Sequence, residues 1–73
     1  MRIVDQSGCI DFLYDNILLI REENIIIAES KDTSYQMAIY SSEEKAIKAM
    51  ERLHYRYSHM DISVWQFPKD SDV

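Results

Sequence analysis

The chain is predicted to be an α+β protein: a small, mostly antiparallel β-sheet of four to six strands with one α-helix packed on one face, in β(4–5)-α-β order. Three observations predict this. The stretch "YSSEEKAIKAMERLHYRYSH" at residues 40–59 carries apolar residues at helical spacing behind a capping signal, and it is the only stretch that does. The runs "NILLIR" at 16–21 and "NIIIAE" at 24–29 are apolar, rich in isoleucine and of strand length. "DISVWQF" at 61–67 reads as a last strand, ended by Pro68 because proline cannot donate to a ladder.

Taken in order, "RIV" at 2–4 is a short first strand and "QSG" at 6–8 is turn chemistry, with the chain's single glycine, Gly8, free to take a positive φ. "CIDFLY" at 9–14 offers a second strand. The two isoleucine-rich runs form a β-hairpin whose turn is expected at Glu22, Glu23 and Asn24, with Asn24 left-handed. A polar loop at 30–34 leads to "YQMAIY" at 35–40, where Tyr35, Met37 and Ile39 alternate with Gln36, Ala38 and Tyr40. Ser41 lies three before Glu44 and is the expected helix N-cap of a capping box. Ala46, Ile47, Met50, Leu53, His54 and Tyr57 form the stripe expected to face the core.

These elements make one domain over residues 1–73, with the polar tail at 69–73 expected to be flexible. A chain this short buries only about 60% of its unfolded surface, so it is marginal unless stapled or oligomeric. Cys9 is the only cysteine, which excludes an internal disulfide and fits a reducing cytoplasm. The opening residues lack the pattern of a signal peptide, and no run reaches the roughly 18 apolar residues of a membrane span. One helix covers only one sheet face, yet the strand runs are apolar on both sides. In the last strand Ile62 and Val64 face one way, and Ser63, Trp65 and Phe67 the other. Trp65 and Phe67 are therefore expected on an exposed apolar face that meets a second copy, most simply in a two-fold dimer.

The net charge is −5, unevenly spread. Residues 41–60 hold four basic and three acidic side chains; the rest holds four basic and ten acidic ones. Such a chain repels nucleic acid at long range and attracts basic surfaces. Asp11, Asp15, Glu22, Glu23, Glu29 and Asp32 are the candidate partner-binding acids. Arg52 and Arg56 share a helix face with Tyr55 beside them, a set suited to phosphate, stacking or protein contact, or simply to solvent.

No catalytic constellation emerges. Cys9 with His54 or His59 has no spacing that brings nucleophile and base together. The two histidines are five apart and leave the helix on different sides, unlike metal ligands at three or four. Asp11 and Asp15 read as solvated strand ends, and one glycine cannot build a phosphate loop. No enzyme, metal or cofactor is expected.

Three segments together carry a resemblance. Gln6 and Gly8 near the start, then Tyr40, Ser41, Ser42, Glu44, Lys45, Ala46, Lys48, Ala49 and Met50 at the helix, then Gln66, Phe67 and Pro68 at the end resemble a family of small phage and prophage accessory proteins of Gram-positive bacteria. Longer relatives carry a further segment between helix and last strand, which here shrinks to "SHMD" at 58–61. The resemblance implies a counter-defence protein in the host cytoplasm that works by binding. In one form its acidic surface inhibits a host defence protein by occupying a basic nucleic-acid channel, as an anti-CRISPR would. In another, an oligomer sequesters a nucleotide signal through Arg52, Arg56 and an aromatic, as an anti-Thoeris sponge would. The third class is an assembly protein whose task is its own oligomer. The acidic balance favours the first.

Overall fold

The computed structural model describes residues 1–73. In chain order it contains β1 (Arg2–Val4), β2 (Asp11–Leu13), a 3-10 turn (Tyr14–Asn16), β3 (Leu18–Glu22), β4 (Ile25–Ser30), β5 (Thr33–Ile39), α1 (Glu43–His59), β6 (Val64–Gln66) and a second 3-10 turn (Asp70–Asp72). The α+β class and the single helix hold. The strands divide into two sheets of three, β2-β1-β6 and β3-β4-β5, each smaller than the sheet expected. All pairings are antiparallel except that of β1 with β6. The 17-residue helix is not long and apolar enough to cross a membrane.

One core joins the sheets to the helix. Ile3 of β1, Ile26 and Ala28 of β4, Met37 and Ala38 of β5, Ala46, Ala49 and Leu53 of α1, and Trp65 with Phe67 pack into a single cluster. The helix buries its two alanines and Leu53, with Met50 packed alongside. Small residues let its backbone approach the sheet. Tyr57 is 53% exposed and leans on Tyr14 at 4.9 Å between ring centres; Ile47 and His54 also face outward. The core stripe is thus rotated from the one expected, because Ala49 replaces bulkier Ile47 at the line of closest approach.

The hairpin turn is one residue tighter than expected. Glu22 pairs with Ile25, which leaves Glu23 and Asn24 as the loop. Glu23, not Asn24, takes the left-handed conformation, at φ 53°. Asn24 is held elsewhere: its Nδ2 donates to the Tyr40 carbonyl at 2.7 Å, and its own carbonyl accepts the Tyr40 N–H at 2.9 Å. Arg21 supports the turn by donating to the Glu23 carbonyl at 2.9 Å.

A bulge interrupts the β4–β5 ladder. Ile26 pairs with Ala38 but Ile27 pairs with Gln36, so Met37 is the extra residue. Both Met37 and Ala38 turn inward and are buried, a pattern simple alternation cannot produce. The Met37 carbonyl accepts the Gln6 N–H at 2.9 Å, which ties the two sheets together.

Helix capping also differs by one residue. Ser42 is the N-cap, its side chain accepting the Lys45 N–H at 3.3 Å. The Ser41 N–H instead donates to Asp70 Oδ1 at 2.7 Å. That contact belongs to the tail, which is docked rather than loose. Lys45 Nζ donates to the Asp70 carbonyl at 2.9 Å, Arg52 donates to the Asp72 carbonyl at 2.9 Å, and Val73 packs against the core.

Trp65 and Phe67 do share a face, but it is the inner one. They are 6% and 1% exposed and meet edge to face at 6.0 Å, while Val64 points to solvent. Because β6 joins the β1 sheet, its aromatic side lies under α1 rather than on an open surface.

Candidate functional site

The open apolar face lies on the other sheet. Strand alternation and register put Leu18, Ile20, Ile25, Ile27 and Ile39 on the side of β3-β4-β5 away from the core. Leu18 is 61% and Ile39 48% exposed, and the three others are partly exposed and take no part in the core cluster. Ile20 and Ile27 are direct cross-strand partners at its centre. This face, not Trp65 and Phe67, leaves the strands apolar on both sides.

Glu22 and Glu29 stand on this same face, at opposite ends, and are the only charged residues the strands place there. Glu23 lies in the turn beyond Glu22, and Asp32 in the turn beyond Ser30. Four of the six sequence-picked acids therefore bracket the face, two at each end. The other two stand apart. Asp15 is in the 3-10 turn before β3. Asp11 is committed to a two-pronged ion pair with Arg2, both contacts at 2.9 Å. That hydrogen-bonded guanidinium holds the Asp11 carboxyl below its ordinary range.

The second surface runs along α1. Lys48, Arg52 and Arg56 follow one another at i, i+4 and i+8 and form one ridge. The three ion pairs of the structure, Arg2–Asp11, Arg21–Glu43 and Lys45–Asp70, leave all three without a carboxylate partner. Arg56 lies over the Trp65 ring, 5.8 Å from its centre. Between α1 and β6 runs a groove of about 210 Å³ lined by Arg52, Arg56, Val64, Trp65, Gln66 and Pro68. Tyr55 is stacked on His59, with 4.3 Å between ring centres. Arg52, Tyr55 and Arg56, grouped in the sequence, come together with Lys48 and Glu51 around a second, more open hollow of about 490 Å³, while the groove against β6 is lined by the two arginines without Tyr55.

Two polar side chains withdrawn from solvent, Asp5 and Tyr40, are engaged in structural hydrogen bonds. Asp5 is 8% exposed, and its carboxylate accepts from Ser7 Oγ at 2.8 Å, from the Cys9 N–H at 3.1 Å and from the Ile10 N–H at 3.2 Å. Burial pushes its pKa up, but these hydrogen bonds outweigh burial and hold the carboxyl below its usual range. Tyr40 is buried, and burial pushes its phenol up to about 12; the hydroxyl donates to the Pro68 carbonyl at 2.8 Å. Cys9 lies in the β1–β2 turn with its amide on Asp5, and His59 bonds the Tyr55 carbonyl within the helix. Trp65 Nε1 is buried without a hydrogen-bond partner. Sequence reasoning passed over Asp5, whose only signal was its place ahead of the Gln6–Gly8 turn.

Two candidate surfaces, one apolar with acidic ends and one a cationic ridge with a groove, are therefore what the fold presents. Comparison with known protein families, with curated proteins and with solved structures finds no match to this chain.

Proposed function

We propose that the protein is a non-enzymatic inhibitor that binds a basic host protein through the outer face of the β3-β4-β5 sheet. The observation that carries this reading is the uncovered aliphatic face with acids at both ends. Its centre would supply desolvated contact and its ends charge complementarity. Three strands spaced about 4.8 Å apart and roughly six residues long span about 14 by 20 Å, well below the ~800 Å² that each partner of a standard interface buries. The acidic ends must therefore take part. A partner with an apolar strip flanked by lysine or arginine meets both needs. A second copy meets them less well, because the strands of that face contribute only acidic charges. The partner class is thus a basic, nucleic-acid-binding protein of the kind a phage accessory protein would disable.

The test uses three proteins: the native chain, an Ile20→Ser/Ile27→Ser variant, and a variant with Glu22, Glu23, Glu29 and Asp32 changed to Gln or Asn. Each is used to recover partners from host cells, and the recovered protein is assayed for nucleic-acid binding. Support requires a basic partner whose nucleic-acid binding is blocked by the native chain. Both variants should lose that block, and added salt should slow association of the native chain. Equal inhibition by all three proteins would overturn the reading. So would a sedimenting dimer that Ile20→Ser/Ile27→Ser converts to monomer, which would give the face to self-association.

A further inference from the structure

We propose that the groove between α1 and β6 is a second binding site, for a small phosphate-bearing ligand held by Arg52 and Arg56. It lies on the helix side of the molecule, away from the sheet face assigned above, and does not depend on that assignment.

Both guanidinium groups lack a carboxylate partner, and both are oriented by the protein. Arg52 gives one N–H to the Asp72 carbonyl at 2.9 Å and keeps its other donors free. Arg56 is steadied over the Trp65 ring at 5.8 Å. Arginines held in place lose less freedom on binding, and their planar forks match the oxygens of a phosphate. Their i, i+4 spacing sets them side by side along one wall of the groove.

The groove size limits the ligand. About 210 Å³ accommodates one or two phosphate groups and falls short of the roughly 300–1,000 Å³ of pockets that enclose whole drug-sized molecules, whereas the open hollow of about 490 Å³ that Arg52 and Arg56 share with Lys48 and Tyr55 has room for the rest of a ligand. Any nucleoside portion would therefore lie outside it. Lys48, one turn before Arg52 on the same ridge, extends the positive charge beyond the groove. A diphosphate is thus favoured over a monophosphate. Glu51 flanks the ridge and opposes an anion, but it makes no ion pair with these three cations. Asp72, whose carbonyl accepts from Arg52, is a second acid near the groove, while charges farther away than about 8 Å are screened at physiological salt; the arginines act on the ligand in direct contact.

Trp65 is the only tryptophan and lies directly beneath Arg56, so its fluorescence reports on the groove. The full chain is titrated at constant ionic strength with inorganic phosphate, pyrophosphate, ADP, adenosine, sulfate and a short single-stranded oligonucleotide. Pyrophosphate and ADP should give saturable changes, with adenosine silent and phosphate and sulfate weaker. ADP binding more tightly than pyrophosphate would identify a nucleotide as the source; equal binding would identify the diphosphate itself. Calorimetry on Arg52→Gln/Arg56→Gln should show affinity reduced about tenfold or more, and Lys48→Gln should weaken pyrophosphate more than phosphate. Amide-shift mapping on the native chain should confine the changes to α1 and residues 64–68, independently of whether the variants fold. Four results would overturn the proposal: no saturable change, sulfate equal to pyrophosphate, shifts centred elsewhere, or an oligonucleotide bound far more tightly than ADP.

Discussion

Gln6 and Ile39 are 33 residues apart and joined by a 2.9 Å hydrogen bond from the Ile39 N–H to Gln6 Oε1. Every polar group of Gln6 is used. Its N–H donates to the Met37 carbonyl at 2.9 Å, its Nε2 to the Pro68 carbonyl at 3.1 Å, and its own carbonyl accepts from Gln66 Nε2 at 3.4 Å. One side chain thereby clasps both sheets and the segment after β6. Gln6→Ala should destabilise by about 1 kcal/mol, because it removes two side-chain hydrogen bonds while the Pro68 carbonyl keeps the Tyr40 hydroxyl as a donor. Urea denaturation measures this, and a loss of a few tenths would show that water replaces the clasp.

Asp5 gives the fold an acid-sensitive turn. Its folded pKa lies below the unfolded value near 3.9, so its contribution is present above that value and lost as pH falls through the depressed folded pKa. Asp5→Asn should lower stability at neutral pH by about 1 kcal/mol, since a neutral amide oxygen accepts the Cys9 and Ile10 N–H groups more weakly than the carboxylate does. It should also flatten the acid limb of stability against pH below about pH 4. Thermal melts of both proteins from pH 2 to 7 would reveal it; parallel curves would count against the assignment.

The two serines at the helix start should separate cleanly. Ser42→Ala removes the side-chain acceptor for Lys45 and should cost about 1 kcal/mol. Ser41→Ala leaves the backbone contact to Asp70 intact and should cost less than about 0.5 kcal/mol. A larger loss at Ser41 than at Ser42 would return the cap to the earlier position.

Ile26 and Ile27 are chain neighbours on opposite sides of β4. Ile26 is fully buried, so Ile26→Ala should cost about 2–5 kcal/mol. Ile27 stands on the uncovered face, so Ile27→Ala should cost about 1 kcal/mol or less in the free protein. Equal losses would mean that the outer face is covered.

The residues themselves determined the local elements. The 3.6-residue period and serine cap chemistry gave one helix near residues 43–59, and the isoleucine runs gave the hairpin, because both signals are short-range. The strands' surplus of apolar residues also announced an open face. Which residues form it was decided only in three dimensions. The parallel pairing of β1 with β6, across most of the chain, put Trp65 and Phe67 under the helix and left the isoleucines of β3 and β4 uncovered. The bulge at Met37 inverted the faces of half of β5, and a one-residue slip of that kind leaves no trace in the alternation of "YQMAIY". The acids could be counted in the sequence, but their distribution depended on partners far along the chain: Arg2 neutralises Asp11, while strand pairing sets Glu22 and Glu29 at the two ends of one apolar surface. The groove belongs wholly to the tertiary structure, since its second wall, Val64 to Gln66 with Pro68, reaches the two helix arginines only when β6 packs beside α1.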